Sequence, residues 1–104
     1  MKILAIAKVD PHTTVENIQP HLEAEVKIAW KLYKDGIVRE MYNCLDRRMG
    51  VVFILECVSV DEGHKALEEL PFVREKFINF DLIPLGPFSY FETLFRDYKP
   101  PQQG

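Results

Sequence analysis

The chain has few cysteines, no long apolar run and no excess of basic charge. Its two cysteines, Cys44 and Cys57, form no CxxC pair and have no basic neighbour at motif spacing. A disulfide framework, a thiol-redox motif and a cysteine nucleophile are therefore not signalled, and free thiols in a reducing cytoplasm are expected. No apolar stretch approaches the roughly 18 residues that would span a bilayer, so no membrane partner is expected. The run Ile3 to Ala7 is too short for a signal peptide and lacks a small-residue cleavage pattern. A formal net charge of −3 argues against a nucleic-acid partner, which calls for a basic face. The glycines form neither GxGxxG nor a P-loop, so nothing points to a nucleotide. His12, His21 and His64 match no zinc or iron spacing, and no metal is expected. No internal repeat is visible.

What is present is a globular composition, 47% hydrophobic and 12% aromatic over 104 residues. That suffices for one core and is too little for two. A single domain over residues 1–96 is expected, with a flexible tail over 97–104 ending in KPPQQG.

The stretch Pro20 to Gly36 reads as the main helix. At ~100° per residue, Leu22, Val26, Ala29 and Tyr33 share one stripe, bordered by Trp30 on one side and by Ile28 and Leu32 on the other. Glu23, Lys27, Lys31 and Lys34 take the solvated face. Glu25 does not join them and projects between Ala29 and Leu32 on the buried flank. His21 lies one turn earlier, at a spacing that lets the two side chains touch. A carboxylate facing a core must be paired, hydrogen-bonded or neutralised by a raised pKa, which makes Glu25 the first candidate for chemistry. The competing reading is a slightly rotated helix that lets Glu25 reach water. Thr13 and Glu16 have capping-box spacing for a first turn over Val15 to Gln19. Asp35-Gly36 is a C-cap signal.

Before this helix, MKILAIAKV reads as a strand apolar on both faces. After it, IVREMYNCL and VVFILECVS form a hairpin around Asp46 to Gly50. A symmetrical loop sets Arg39 opposite Glu56 and Glu40 opposite Leu55. Ser59 to Glu62 opens a second helix with Val60, Gly63, Leu67 and Leu70 inward, ended by Pro71. Arg74 to Lys76 reads as a polar connection to a fourth strand, FINFDLIPL. The aromatic FSYFETLFRDY, a short helix at most, must pack on the body or on a partner.

The element order is βαββαβ: an α+β, ferredoxin-like fold with a four-stranded antiparallel sheet and two helices on one face. The third strand is apolar on both faces, Val51, Phe53, Leu55 and Cys57 against Val52, Ile54 and Val58. The uncovered face needs a second layer, and another copy of the same sheet is its simplest source, giving a homodimer or a larger homo-oligomer.

Glu25 through LYKDGIVREMY, the acidic Glu56 before SVDEGHKALEELP, and the apolar start ending in Lys8 resemble the muconolactone isomerase family of the dimeric α+β barrel superfamily, over roughly residues 1–88. The resemblance implies proton transfer within a small lactone acid, with no metal or organic cofactor. It implies functional positions at Glu25, Arg39, Glu56 and His64. Where that family has a histidine after the strand arginine, this chain has Glu40. Where it has histidine and tyrosine in the hairpin, Arg47 to Val51 stand here.

The expected catalytic set is Glu25 as proton-transfer base, Arg39 as anchor for an anionic substrate group and Glu56 as holder of the guanidinium. An alternative for Arg39 and Glu56 is a cross-strand ion pair closing a sheet face. His21, Trp30, Tyr33 and Tyr42 are the expected pocket residues, although Trp30, Tyr33 and Tyr42 also fit core or boundary roles. Two classes of function stay open. One is a cofactor-independent isomerase or cyclase acting on a small, partly apolar carbonyl compound. The other is a non-catalytic dimer that binds a ligand or assembles with other proteins. Burial of Glu25 separates them.

Overall fold

The computed structural model describes residues 1–97. The tail expected over 97–104 therefore lies, Asp97 apart, outside the described residues. Strand β1 (Lys2–Val9) is followed by a one-turn helix α1 (Val15–Ile18), a 3-10 turn (Gln19–His21) and the main helix α2 (Leu22–Lys34). A hairpin of β2 (Val38–Asn43) and β3 (Val51–Glu56) leads to helix α3 (Val60–Leu67), the short α4 (Pro71–Arg74) and β4 (Ile78–Leu85). The strands form one antiparallel sheet in the order β2-β3-β1-β4. This is the ferredoxin-like α+β arrangement that the element order predicts.

Alternation along the strands decides which side chains meet the helices. Ile3, Ala5 and Ala7 of β1, Phe53 and Leu55 of β3, and Ile78 and Phe80 of β4 are buried with Leu32, Leu67 and Leu70 from the helical layer. Among the described residues the opposite face carries no helix. There Leu4, Ile6, Val52 and Ile54 are only half-buried, and Tyr42, Ile83 and Leu85 are exposed. Lys8 and Asp81 meet on that face at 2.8 Å.

Local signals explain the helix ends. Gly36 takes φ +79°, the left-handed conformation that glycine adopts without penalty. The Gly36 N–H donates to the Tyr33 carbonyl and the Ile37 N–H to the Leu32 carbonyl, a Schellman closure of α2. Ser59 caps α3 by accepting from the Glu62 N–H. At the start of α1 the capping box is formed by Thr14 and Asn17, not by Thr13 and Glu16 as their spacing predicts. Thr13 is occupied elsewhere, its hydroxyl donating to the Phe77 carbonyl at 3.3 Å.

Two further expectations are corrected. The second helix ends at Leu67, and Pro71, expected to end it, instead opens the further short helix α4, which takes in Arg74 of the expected polar connection; proline at a first helical turn lacks a hydrogen that would go unpaired anyway. The hairpin register also differs. A bulge at Arg39 sets Val38 opposite Leu55 and Glu40 opposite Ile54, so Arg39 does not face Glu56. The pairs from Asn43 with Val51 to Glu40 with Ile54 centre on Arg47 rather than between Arg47 and Arg48, one residue from the symmetrical loop expected, and the bulge beyond them adds a further shift at Val38.

Gly63 marks the closest approach of α3 to the sheet. A Cβ there would lie 2.9 Å from Leu82 Cδ2 and 3.4 Å from Leu55 Cδ1. Gly63→Val is expected to lower stability by about 1–3 kcal/mol through overpacking, read as a lower urea midpoint with an unchanged slope.

Candidate active site

Leu32 is buried and fixes the rotation of α2 on the sheet. With that rotation only Ala29 of the expected apolar stripe packs against the core. Leu22, Val26, Trp30 and Tyr33 remain 41–58% exposed, and the first three instead form one wall of a cavity of about 490 Å³. Met41, Val51 and Phe53 supply the sheet side, Ile18 and Phe72 an end, and Asn43, Met49 and Thr13 are among the rest. The stripe was legible as apolar, but its neighbour is a void.

Glu25 lies in this cavity with 9% of its surface exposed. Its Oε1 accepts a 2.8 Å hydrogen bond from the Phe72 N–H. That donor belongs to the first turn of α4, where no side chain of the N-cap residue, Leu70, does the capping. Glu25 thus satisfies one of the donors a helix start leaves unpaired. No hydrogen bond is made by Oε2, and among the described residues no fully buried side-chain oxygen lacks a partner. Oε2 is therefore open to the cavity. Burial pushes the carboxyl above the usual glutamate range, opposed by the smaller effect of the Phe72 hydrogen bond.

The other expected site residues scatter. Trp30 lines the cavity, and Tyr33 stacks on it with ring centroids 5.7 Å apart without lining it. Tyr42 borders the cavity, but its hydroxyl donates to Glu40 at 2.6 Å; Glu40 pairs with Ile54 and shares the helix-free face. That hydroxyl is therefore turned away from Glu25. His21 sits edge-on to Phe77 at 5.5 Å and does not line the cavity. Arg39 is exposed at the bulge and outside the cavity. Glu56 faces the helix-free side opposite Lys2 and pairs with the terminal ammonium of Met1 at 3.1 Å. Glu25, Arg39 and Glu56 are not brought together in one chain, because the bulge and the alternation of β3 send the latter two elsewhere. His64 is exposed on α3, away from the cavity.

Asn43 and Met49 went unnoticed in the sequence. Asn43 is two residues beyond Met41, on the helix-facing side of β2 opposite Val51, so correct register would have found it. Met49 stands at φ 57° in the hairpin loop, a left-handed conformation that a methionine does not signal in the sequence. Among the described residues no group of three His, Cys, Asp or Glu side chains is placed to hold a metal ion, and no helix is long and apolar enough to cross a membrane.

No protein-family model matches the chain, and no curated protein does. Among solved structures it is similar to 5-chloro-2-hydroxyhydroquinone dehydrochlorinase from Burkholderia phenoliruptrix AC1100, determined in complex with 2,5-dihydroxybenzoquinone. The two share 17% identity with a TM-score of 0.68, covering 86% of this chain and 98% of that one. At this identity the likeness establishes the fold.

The two functions of the Glu25 carboxyl can be separated by substitution. Glu25→Ala leaves the Phe72 N–H without its partner and should cost about 1–3 kcal/mol. Glu25→Gln keeps an acceptor oxygen and removes the buried charge. A raised native pKa means that the folded state holds the proton more tightly than the unfolded chain. The stability this confers is complete below the unfolded value of about 4.3 and is lost as pH rises through the native value. Urea unfolding should therefore show Glu25→Gln gaining on the wild type as pH rises from 4 to 8. A gap that stays constant or runs the other way would mean burial does not raise the pKa.

Proposed function

We propose that the chain is a small-molecule enzyme that moves a proton within a compact, partly apolar carbonyl or lactone compound, as an isomerase or cyclase. The observation that carries this reading is Glu25, with one oxygen held by the Phe72 N–H and the other open to an apolar cavity. A general base needs a fixed position, access to its substrate and a pKa near the working pH. Desolvation moves Glu25 in that direction. In this reading Oε2 takes a proton from the carbon next to the substrate carbonyl, and the electron pair shifts onto the carbonyl oxygen. The same carboxyl returns the proton to another carbon of the conjugated system, so nothing is gained or lost. The Asn43 amide, on the cavity wall, donates to the oxygen while it bears charge. Arg39 and Glu56, outside the cavity, receive no part in the proton transfer.

The dimensions agree with this class. About 490 Å³ lies within the range usual for small-molecule sites. It leaves room for a single-ring compound such as the benzoquinone bound by the structural neighbour. The resemblance to muconolactone isomerase favours a lactone or a related ring carbonyl, with no cofactor.

A non-catalytic binding protein is the second reading, favoured by one observation: Glu25 already serves α4 as a cap. Proton exchange in D2O distinguishes the two. Wild-type protein should incorporate deuterium into α-angelica lactone or the methyl ester of muconolactone, followed by loss of C–H signals in proton NMR. Glu25→Gln should slow incorporation by 100-fold or more, on the order of what a positioned acid or base contributes. Equal rates would remove Glu25 as the base, and no incorporation by the wild type favours the binder.

The same reading includes a homodimer. The apolar helix-free face of the sheet needs a cover. A second uncovered surface lies beyond β4, in the 3-10 segment Ser89–Phe95. There Phe88, Tyr90, Phe91, Leu94 and Phe95 are each at least 61% exposed, and the ring contacts of Phe88 are with Tyr90 and Phe91. Sedimentation at micromolar concentration should give a dimer. Ile54→Lys, at a half-buried position of the open face, should shift it to monomer with an unchanged circular dichroism spectrum. A wild-type monomer would contradict the pairing.

A further inference from the structure

We propose, building on the proton-transfer reading of this cavity, that its substrate enters uncharged: an enolisable carbonyl compound without a carboxylate. The resemblance implied the reverse, a lactone acid gripped by Arg39. The distribution of charge around the cavity argues against that. Among the described residues lining it, Glu25 carries the single ionisable acid and no lysine or arginine is present. The remaining wall is almost entirely apolar, with Thr13 and Asn43 as neutral polar groups and the Trp30 indole at the rim.

The cations of the surrounding elements do not line the cavity, and most are paired elsewhere; Lys34 of α2 and Arg48, next to the cavity residue Met49, are exposed and outside the lining. On α2, Lys27 pairs with Glu23 at 3.3 Å and Lys31 with Glu69 at 3.5 Å. Lys8, beside the cavity residue Val9, pairs with Asp81 on the helix-free face. In the hairpin loop, Arg47 forks onto Asp46 with two 3.1 Å hydrogen bonds. Arg39 is displaced from the cavity by the bulge in β2. A carboxylate entering the cavity would therefore lose its hydration, meet no cation in the lining and stand near the carboxyl of Glu25. Burying a charge without a partner is strongly unfavourable, and two carboxylates in one apolar site repel each other. A neutral ligand avoids both penalties. It still offers what Glu25 Oε2 can use, a hydroxyl or an acidic C–H as donor.

A matched pair of probes tests this: muconolactone, an anion at pH 7, and its neutral methyl ester. Trp30 is the chain's one tryptophan and lines the cavity, so its fluorescence reports occupancy directly. The ester is expected to bind wild-type protein at least about tenfold more tightly than the acid. In Glu25→Gln, which removes one of the two repelling charges, the gap should narrow mainly because the acid binds better. Equal or tighter binding of the acid, a gap unchanged in Glu25→Gln, or binding of neither probe would each overturn the proposal. Deuterium exchange keeps it separate from the functional reading. An ester that binds as expected without exchange defeats the proton-transfer reading and leaves the charge preference standing. An acid that binds more tightly and exchanges defeats the charge preference alone.

Discussion

The hydrogen bond from the Phe72 N–H to Glu25 Oε1 holds together the part of the molecule where chemistry is possible. It joins two elements far apart in sequence, α2 and the first turn of α4, across the edge of the core. Charge-assisted bonds of this kind are among the stronger ones a fold can make. Here it also determines where the second carboxylate oxygen points. With Oε1 tied to a backbone group, Oε2 has little freedom and lies open to the cavity. A structural role for Glu25 therefore does not compete with a chemical one. A carboxylate has acceptor sites on both oxygens, and the cap uses one oxygen.

The cavity itself follows from how α2 is seated. Leu32 and Glu25 face inward, leaving Leu22, Val26 and Trp30 along an opening. Interiors normally close to the density of organic crystals, so an apolar stripe left over a void of this size is either a site or a surface awaiting cover. The position of Glu25 favours the first. Exposed rings beyond β4 and the bare sheet face represent the second situation elsewhere in the chain.

Most of the fold was legible because its signals are periodic or local. The two-faced apolar strands, the Gly36 stop, the Ser59 cap and the inward Gly63, Leu67 and Leu70 each follow from patterns of a few residues, and each has its place in the structure. The candidate site was legible only in part. Glu25 was marked by one misplaced charge on an otherwise regular helix. The partners assigned to it required the hairpin register, and register depends on where the loop is centred, on Arg47 rather than between Arg47 and Arg48, and on a bulge at Arg39, neither of which leaves a mark in the residue types. The loop centre alone already moves Arg39 off Glu56. It also concealed Asn43, which shares a face with Met41 and pairs with Val51. The cap shift from Thr13 to Thr14 is smaller but similar in cause. Thr13 has a tertiary partner, Phe77, that spacing alone does not reveal.

If Glu25 is the base of the proposed proton transfer, its strength depends on how much water reaches it. Its raised pKa arises from burial, while its one hydrogen bond acts in the other direction. The rim of the cavity is apolar and partly open, with Val26 and Trp30 each 58% exposed. Anything that covers this rim, a bound substrate included, removes water from Oε2 without adding a cation. Coverage then raises the pKa further and strengthens the carboxylate as a proton acceptor. An apolar ligand is thus suited both to entering the cavity and to activating the group within it. A charged ligand would bring its own hydration and forgo that effect. The proposed choice of substrate and the strength of the proposed base would in this way be two consequences of the same apolar wall.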